Sequence, residues 1–310
     1  MKKCEVQAKG SEVKKLVILG HTGFIGRAVL EAAHDQFPSA DICGYGSRDI
    51  DLTDQSQANR LAEKLTEDTD IVMLSGIKKQ HGDNLQSFVA NLRIAENVAR
   101  VLENCPINRL IYFSTADVYG EDIANTSISE STPVNPRSYY GIAKYAAECL
   151  LTKSISSQEH GSLLILRPPF TFGGSNDQSG IYGPYEFCRA ACSDSAISVW
   201  GDGTELREFL CVDDLADLTM RLLKTSHAGV LNPVSGQSYS FKQILRVVES
   251  FVSTPLKLTH RVRTRGKVDN GFDNTRLRNW FPEFQFTPLQ VGLRSTFDHA
   301  CVSENEVAKK

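Results

Sequence analysis

Residues 16–30 read LVILGHTGFIGRAVL, and this stretch decides the fold. An apolar run over residues 16–19 leads straight into Gly20, Gly23 and Gly26, and an apolar helical pattern follows from Phe24. Each glycine costs backbone entropy, so the chain needs either a tight turn or close access to its backbone here. A strand, then Gly-x-x-Gly-x-x-Gly, then a helix is the context of a dinucleotide-binding turn. The alternative is a tight strand–helix turn that binds no ligand.

Each glycine has a predicted role in this turn. Gly20 permits the sharp turn, Gly23 lets a pyrophosphate approach the backbone, and Gly26 lets the helix pack closely on the strand. The first turn of the helix would then present free N–H groups and a positive dipole end to the phosphates.

Outward from the turn, apolar runs alternate with helical patterns. Strands are predicted at 16–19, 41–46, 70–76, 109–114 and 162–168, and helices at 24–33, 85–102 and 140–153. This alternation predicts an α/β fold with a Rossmann-type, doubly wound parallel sheet. The runs are almost continuously apolar, as expected where both sheet faces are covered.

A change in composition after Pro168 predicts a smaller C-terminal substrate-binding region. The stretch from Arg167 to Pro184, at the start of this region, is predicted to be loop because it is rich in Gly, Pro, Ser and Asn. The predicted organisation is a polar tail over 1–13, an NAD(P)-binding Rossmann domain over 14–169, a smaller region over 170–301 in which 205–230 pack back on the Rossmann domain, and a tail over 302–310.

Composition narrows the classes of function. A net charge of -3 over 310 residues gives no global basic field for nucleic acid. No apolar stretch reaches the roughly 18–20 residues that cross a bilayer, and the first residues lack the apolar core of a secretory signal. The eight cysteines show neither zinc spacing nor a disulfide pattern, and Cys188 and Cys192 read as small apolar residues one helical turn apart. We therefore expect no metal, no membrane partner and a cytoplasmic location.

The end of the second strand bears on the choice of dinucleotide. An acidic residue there takes the ribose 2′-OH of NAD, whereas this chain has Ser47 and Arg48. A guanidinium suits a 2′-phosphate, so NADP is expected, with NAD as the alternative. Arg48 is otherwise a solvated surface charge that Asp49 could neutralise. Asp51 and Leu52 are candidates to contact the adenine.

Tyr140 and Lys144 are the catalytic candidates. Their i, i+4 spacing on a predicted helix puts both side chains on one face. A neighbouring cation lowers the pKa of a phenol, as a proton carrier for a hydroxyl/ketone pair requires. Thr115, just past a strand, could hydrogen-bond the substrate oxygen; the alternative is a satisfied turn residue.

Over roughly residues 15–300 the chain resembles the extended short-chain dehydrogenase/reductase family, the NAD-dependent epimerase/dehydratases that act on nucleotide sugars. The motifs that carry the resemblance are GHTGFIG, DIDLTD, NLRIAENV, FSTADVYG, YYGIAK, LRPPFTFG and VWGDGTELREFLCVDDLAD. The resemblance implies hydride transfer at a sugar carbon, with Thr115, Tyr140 and Lys144 catalytic. It also implies that the smaller region holds the nucleotide diphosphate and that Arg207 grips its phosphates, an ion pair with Glu205, Glu208 or Asp214 being the alternative.

The same resemblance extends the predicted cofactor and substrate sites. Besides the residues already named, the cofactor site is predicted to include Thr22, Phe24, Ile25, Leu74, Ser75, Gly76, Asn91 and Pro168. The substrate site is predicted to include Lys78, Thr115, Asp117, Phe170, Trp200 and Arg207.

These sequence motifs are most similar to those of the branch of GDP-L-fucose synthases and NDP-4-keto-sugar reductases, which use NADPH. The chain departs from that branch at several positions. Phe170 replaces an Asn common in relatives. Asp117 stands where that branch has a catalytic Cys, and no His lies between Gly161 and Gly203, so a double epimerisation is not supported. Dehydratase relatives have Asp–Glu where this chain has Ala116–Asp117, which makes Asp117 either a base or a loop carboxylate capping a turn.

The resulting hypothesis is an NADP-dependent reductase or epimerase of an NDP-4-keto-6-deoxy sugar. An alternative is an epimerase or 4,6-dehydratase that retains NAD, and a third hypothesis is a non-catalytic NADP-sensing protein. The resemblance also implies a homodimer through the helices at 85–102 and 140–153, where the Ala-rich second helix permits close approach.

Overall fold

The computed structural model describes residues 12–159, 161–173, 183–263 and 266–307. The strands are β1 (Lys15–Leu19), β2 (Asp41–Tyr45), β3 (Thr69–Met73), β4 (Arg109–Phe113), β5 (Asn125–Ile128), β6 (Ser162–Leu166), β7 (Phe170–Phe172), β8 (Ile197–Trp200), β9 (Leu206–Cys211), β10 (Gly229–Leu231), β11 (Ser238–Ser240), β12 (Leu258–Arg261) and β13 (Asn270–Phe272). The α-helices are α1 (Phe24–Gln36), α2 (Gln55–Ala58), α3 (Leu85–Asn104), α4 (Tyr139–Ile155), α5 (Pro184–Cys192), α6 (Val212–Leu223), α7 (Phe241–Glu249), α8 (Thr275–Trp280) and α9 (Leu289–Val307).

Six parallel strands form the central sheet, in the order β10-β6-β4-β3-β1-β2. The predicted Rossmann-type parallel sheet is therefore confirmed. From β1 the chain moves outward to β2 and then returns to β3 on the other side of β1. This reversal opens a crevice at the carboxyl ends of β1 and β3, which is where open α/β sheets bind ligands.

The apolar runs of the strands cover two cores, one on each face of the sheet. Leu16 and Ile18 pack in a cluster with residues of α1 and α6. Val17 and Leu19 point the other way, into a cluster with residues of α3 and α4. Because successive side chains of a strand alternate between faces, a strand covered on both faces must be apolar at nearly every position.

The smaller layer contains three short sheets, ordered β11-β9-β7, β12-β8 and β13-β5. Its core packs Phe172 and Phe209 against α7 and α9. β7 lies within the stretch that the sequence predicts to be loop, so that prediction is wrong for residues 170–172. β7 pairs in parallel with β9, and a run of only three residues is too short to predict such a strand from sequence. Within the same stretch, residues 174–182 lie outside the described residues, and Pro184 begins α5.

Parts of the chain after residue 170 complete the large layer. α6 packs against α1, and β10 pairs with β6 at the edge of the central sheet. At the N-terminus, Val13 is buried in the core beside β1, so the predicted polar tail does not extend to it. At the C-terminus, α9 continues to Val307, so the tail predicted from residue 302 is wrong for 302–307; residues 1–11 and 308–310 lie outside the described residues.

A disulfide joins Cys192 at the end of α5 to Cys301 in α9. The sequence-based expectation of a chain without disulfides is therefore wrong. The two cysteines lie 109 residues apart, so no local spacing reveals the pair. Cys188, one turn earlier, is buried as a free thiol, as expected for a small apolar residue.

Within the described residues, no helix combines the length and the apolar character that crossing a bilayer requires.

Candidate active site

A cavity of about 1420 Å³ lies between the carboxyl ends of the central strands and the smaller layer. Nearly every predicted site residue lines it. From the predicted cofactor set these are Gly20, Thr22, Gly23, Phe24, Ile25, Gly26, Ser47, Asp51, Leu52, Leu74, Ser75, Gly76, Tyr140, Lys144 and Pro168. From the predicted substrate set they are Lys78, Thr115, Asp117, Phe170, Trp200 and Arg207.

The glycine turn has the geometry that two of its three predicted roles require. Gly20 has φ +90°, a conformation that L side chains rarely adopt, and a Cβ there would lie 2.9 Å from the Ser75 backbone nitrogen. A Cβ on Gly26 would lie 2.2 Å from the Gly20 carbonyl oxygen, so only glycine lets α1 approach the turn this closely. Gly23 has an ordinary backbone, with φ −75° and ψ 170°, and a Cβ there would make a tight but tolerable contact 3.3 Å from the same oxygen. Its predicted role in admitting a pyrophosphate remains a prediction.

The N-terminus of α1 suits an anionic group. No side chain caps its first turn, and that turn carries no acidic residue. The ammonium of Lys78 lies 5.6 Å from the centre of the Phe24 ring, which is the first residue of α1. Unclaimed N–H groups, a helix dipole and a nearby cation together fit a pyrophosphate. Lys78 therefore lies beside the first turn of α1, although the sequence assigns it to the substrate site.

The turn after β2 presents Ser47 to the cavity, while Arg48 is exposed beside it and does not line it. The carboxylate of Asp49 accepts a hydrogen bond from the Gly46 N–H at 2.8 Å. The carboxylate of Asp51 accepts from the Thr53 N–H and hydroxyl. Both acids are thus engaged in closing local turns.

Asn91, the other predicted residue that does not line the cavity, supports the loop after β3. Its side-chain amide donates to the Ile77 carbonyl at 3.0 Å and accepts from the Ile77 N–H at 2.7 Å. These two hydrogen bonds from α3 fix the backbone beside Gly76.

Tyr140 and Lys144 lie on the first turns of α4, which Ser138 caps by accepting from the Gly141 N–H at 3.0 Å. Lys144 is buried and donates to the Phe113 carbonyl at the end of β4, 2.6 Å away. Burial lowers its pKa to about 8. Burial raises the pKa of Tyr140, and the Asp117 carboxylate raises it further.

The prediction that Lys144 lowers the pKa of the Tyr140 phenol is therefore wrong for the protein by itself. The ammonium lies 6.0 Å from the centre of the Tyr140 ring and 4.8 Å from the centre of the Tyr112 ring, and it donates to a carbonyl. Loss of hydration around a buried phenolate outweighs a cation placed in this way.

Thr115 caps the short 3₁₀ turn Ala116–Tyr119, because its hydroxyl accepts from the Asp117 N–H at 3.2 Å. It still lines the cavity, and a hydroxyl that accepts one bond retains its own proton to donate. The turn role and the substrate role are therefore compatible.

A buried polar network supports α4 on the side away from the cavity. Glu148, one turn after Lys144, forms a two-pronged ion pair with Arg167, which follows β6. Glu148 also accepts from the Ser114 hydroxyl, and Arg167 donates to the Tyr119 hydroxyl at 3.0 Å. The network ties α4 to the ends of β4 and β6, and motif reasoning did not identify it.

Toward the smaller layer the cavity is partly aromatic. The exposed rings of Phe170 and Trp200 face it, and the Arg261 guanidinium lies 5.5 Å from the centre of the Trp200 ring. Arg207 is buried, forms an ion pair with Glu205 at 2.9 Å and donates to the carbonyls of Leu206 and Val268. The ion-pair alternative is thus present for Arg207, and a phosphate contact stays a prediction.

Sequence reasoning missed Lys79 and Glu121, which also line the cavity. They form an ion pair at 3.1 Å across 42 residues of chain. No motif contains both residues, and only the adjacency of β3 and β4 brings them together.

A protein-family model and several known proteins match this chain. The model of the NAD dependent epimerase/dehydratase family matches residues 16–234. GDP-mannose 3,5-epimerase 1 of Oryza sativa subsp. indica is 28% identical over 221 aligned positions, which cover 67% of this chain and 57% of that protein. The chain thus matches less than two thirds of that relative's length. The putative GDP-L-fucose synthase 2 of Arabidopsis thaliana is 27% identical, covering 96% of this chain and 94% of that protein.

Two solved structures illustrate the shared fold. UDP-glucose 4-epimerase of Thermus thermophilus in complex with NAD has a TM-score of 0.79 and 20% identity, covering 92% of this chain and 98% of that one. GDP-L-fucose synthetase of Naegleria fowleri bound to NADP has a TM-score of 0.79 and 18% identity, covering 100% and 99%.

Proposed function

The chain belongs to the NAD-dependent epimerase/dehydratase family, and we propose that it is an NAD(P)-dependent oxidoreductase that reduces or epimerises an NDP-4-keto-6-deoxy sugar. The observation that carries the proposal is the placement of Tyr140, Lys144 and Thr115 in one cavity with the glycine turn. The full-length likeness to a putative GDP-L-fucose synthase supports this choice of substrate class.

The cofactor would lie along the near wall of the cavity. The glycine turn and the N-terminus of α1 would hold its pyrophosphate, and Lys144 its nicotinamide ribose. When bound, the nicotinamide supplies or accepts the hydride. Tyr140 would pass a proton to the sugar oxygen, and Thr115 would donate a hydrogen bond to the same oxygen.

We propose NADP rather than NAD because Ser47 and Arg48 follow β2, while the nearby Asp49 and Asp51 carboxylates accept local hydrogen bonds. An exposed guanidinium beside the cavity suits a 2′-phosphate. Replacing Arg48 with Ala is expected to weaken NADPH binding much more than NADH binding. Acid release of NAD from the purified protein would support the alternative, a coenzyme-retaining epimerase or 4,6-dehydratase.

The decisive test measures oxidation of NADPH with GDP-4-keto-6-deoxy and UDP-4-keto-6-deoxy sugars. Wild type should oxidise NADPH with at least one of them, and Tyr140→Phe should lose most of that turnover. Tight NADPH binding without turnover on any 4-keto sugar would instead support the non-catalytic sensor.

We also propose a homodimer through α3 and α4. These helices pack on each other and expose Leu85, Val89, Ile142 and Leu150. Exposed apolar side chains on two adjacent helices are compatible with a protein interface. A cytoplasmic location belongs to the proposal as well; free thiols at Cys43, Cys105 and Cys149 favour it, whereas the disulfide counts against it.

A further inference from the structure

A disulfide lies close to one wall of the cavity. Glu186 and Arg189 of α5 line the cavity, and Cys192 ends the same helix. Cys192 is bonded to Cys301 of α9. Hydride transfer does not require this bond. It connects the last helix of the described chain to a helix that forms part of the cavity wall.

The two bonded cysteines lie near the surface. Cys192 and Cys301 are half-buried, and their chain neighbours Ser193 and Val302 are exposed. Cys188, one turn before Cys192, is fully buried, and burial raises the pKa of its thiol to about 12. Because the thiolate is the form that attacks a disulfide, Cys188 does not exchange into the bond. An external thiol is therefore the reagent that can open it.

The end of α9 is held to α5 in two ways. After the buried Ala300 come the disulfide of Cys301 and an ion pair in which Glu304 lies 3.1 Å from Arg189. Exposed ion pairs are weak, and helix ends fray where few buried contacts hold them. The disulfide is therefore the main anchor of the end of α9, and it keeps Glu304 beside Arg189.

Arg189 lies between two carboxylates. Its Nε and Nη2 atoms donate to Glu186 at 3.3 and 2.8 Å, and its Nη1 atom donates to Glu304 at 3.1 Å. A guanidinium on a cavity wall suits a phosphate group, which it binds through two parallel N–H donors. Here those donors are engaged, and two negative charges surround one positive charge. The arrangement disfavours an anion beside Arg189.

We propose that Cys192 and Cys301 form a redox-controlled pair that sets the affinity of the cavity for an anionic nucleotide. In the disulfide form, Glu304 is held on Arg189 and opposes the anion. In the dithiol form, the end of α9 is released, Glu304 leaves, and Arg189 can donate to a phosphate group. The nucleotide part of this inference rests on the proposed function.

The redox step needs a dithiol as the reductant. One thiolate of the dithiol attacks a sulfur of the Cys192–Cys301 bond and forms a mixed disulfide, and its second thiol then displaces the protein sulfur. Both cysteines end as thiols and the dithiol ends as a disulfide, so two electrons and two protons pass to the protein. Disulfides of cytoplasmic proteins are usually transient and redox-sensing, so such a bond is compatible with the proposed location.

The test compares the full chain in its oxidised form and after reduction with dithiothreitol. Alkylation and mass spectrometry should find two more thiols in the reduced form. Calorimetric titration then measures the Kd of GDP, UDP and NADPH for each form. Reduction should lower the Kd of GDP or UDP about fivefold, at the low end of couplings between sites, because Arg189 is partly exposed. The Kd of NADPH should not change, since other elements form its proposed site.

Three variants test the route. Cys301→Ser should bind the nucleotide as tightly as reduced wild type and should not respond to dithiothreitol. Cys149→Ser, which removes an exposed free thiol of α4, is the matched control and should respond like wild type. Glu304→Gln keeps the disulfide but loses the opposing charge. It should bind the nucleotide more tightly in the oxidised form, and reduction should then add little.

The outcomes separate the two proposals. The inference is overturned if dithiothreitol does not reduce the folded protein, if reduction leaves the Kd of GDP and UDP unchanged or raises it, or if neither nucleotide binds. The oxidoreductase proposal still stands in each of these cases if NADPH is oxidised with a 4-keto nucleotide sugar. If no such sugar is reduced but nucleotide affinity follows the redox state, the oxidoreductase proposal is overturned and the inference stands.

Discussion

Replacing Gly26 with Ala tests whether the glycine turn is a packing device. The new Cβ would lie 2.2 Å from the Gly20 carbonyl oxygen and 2.8 Å from the His21 Cα. Both are backbone atoms, so no side-chain rotation relieves the contact. Ordinary van der Waals separation requires α1 or the turn to move by about 1 Å, and overpacking of this kind costs about 1–3 kcal/mol. We expect the upper half of that range.

Gly23→Ala is the matched comparison. Its Cβ would lie 3.3 Å from the same oxygen, and its backbone, at φ −75° and ψ 170°, is open to any residue. We therefore expect its stability to stay within about 1 kcal/mol of wild type, since Ala replaces Gly at an N-cap position. If a pyrophosphate lies against Gly23, however, the added methyl group should weaken NADPH binding at least about tenfold.

The assay pairs urea unfolding, for stability, with calorimetric titration of NADPH, for affinity. Gly26→Ala should lose both stability and affinity, whereas Gly23→Ala should lose affinity alone. A Gly26→Ala protein as stable as wild type would refute the packing argument. Unchanged NADPH affinity in Gly23→Ala would refute the placement of the pyrophosphate.

Three further predictions concern charge and assembly. Because burial lowers the pKa of Lys144 to about 8, kcat/KM for NADPH should fall above about pH 8 as the ammonium is lost, and Lys144→Met should lower kcat/KM and abolish that limb. Burial raises the pKa of Asp70 to about 6, so the folded state binds the Asp70 proton more tightly than the unfolded state, and this contribution to stability is lost as pH rises through 6. With an unfolded pKa of about 4, the free energy of unfolding should fall by roughly 1.4 kcal/mol between pH 5 and 7.5. In urea unfolding, Asp70→Asn should therefore show that much less pH dependence than wild type. Leu150→Glu should yield a monomeric mass by light scattering if α4 is an interface, and a monomeric wild type would contradict the dimer.

The parts of the fold that can be predicted from sequence are those in which a single segment determines its own local structure. β1, with Leu16 and Ile18 facing one core and Val17 and Leu19 the other, is readable because a strand buried on both faces must be continuously apolar. The glycine turn is readable at two positions, because the positive φ of Gly20 and the lack of clearance at Gly26 exclude other residues.

The parts that could not be predicted depend on which segments become neighbours. Lys79 meets Glu121 only because β3 and β4 are adjacent, and Cys192 meets Cys301 only because α5 packs on α9. A partner's charge acts over a few ångströms in space, whatever the distance along the chain. For the same reason the pKa of Tyr140 could not be inferred from its spacing to Lys144, since burial and Asp117 decide it.

The side chains of Tyr140 and Lys144 are both pushed toward their neutral forms, and this bears on the proton transfer that we propose for Tyr140. Burial raises the pKa of Tyr140 and lowers that of Lys144. A phenol that keeps its proton is ready to protonate a ketone oxygen, whereas accepting a hydroxyl proton first requires its ionisation, at about 1.4 kcal/mol for each pH unit below its pKa. A coenzyme-retaining epimerase must run both directions in every turnover, but a reductase needs only the first. If Tyr140 is the proton carrier that we propose, its raised pKa suits the protonation of a ketone oxygen, the step that reduction requires.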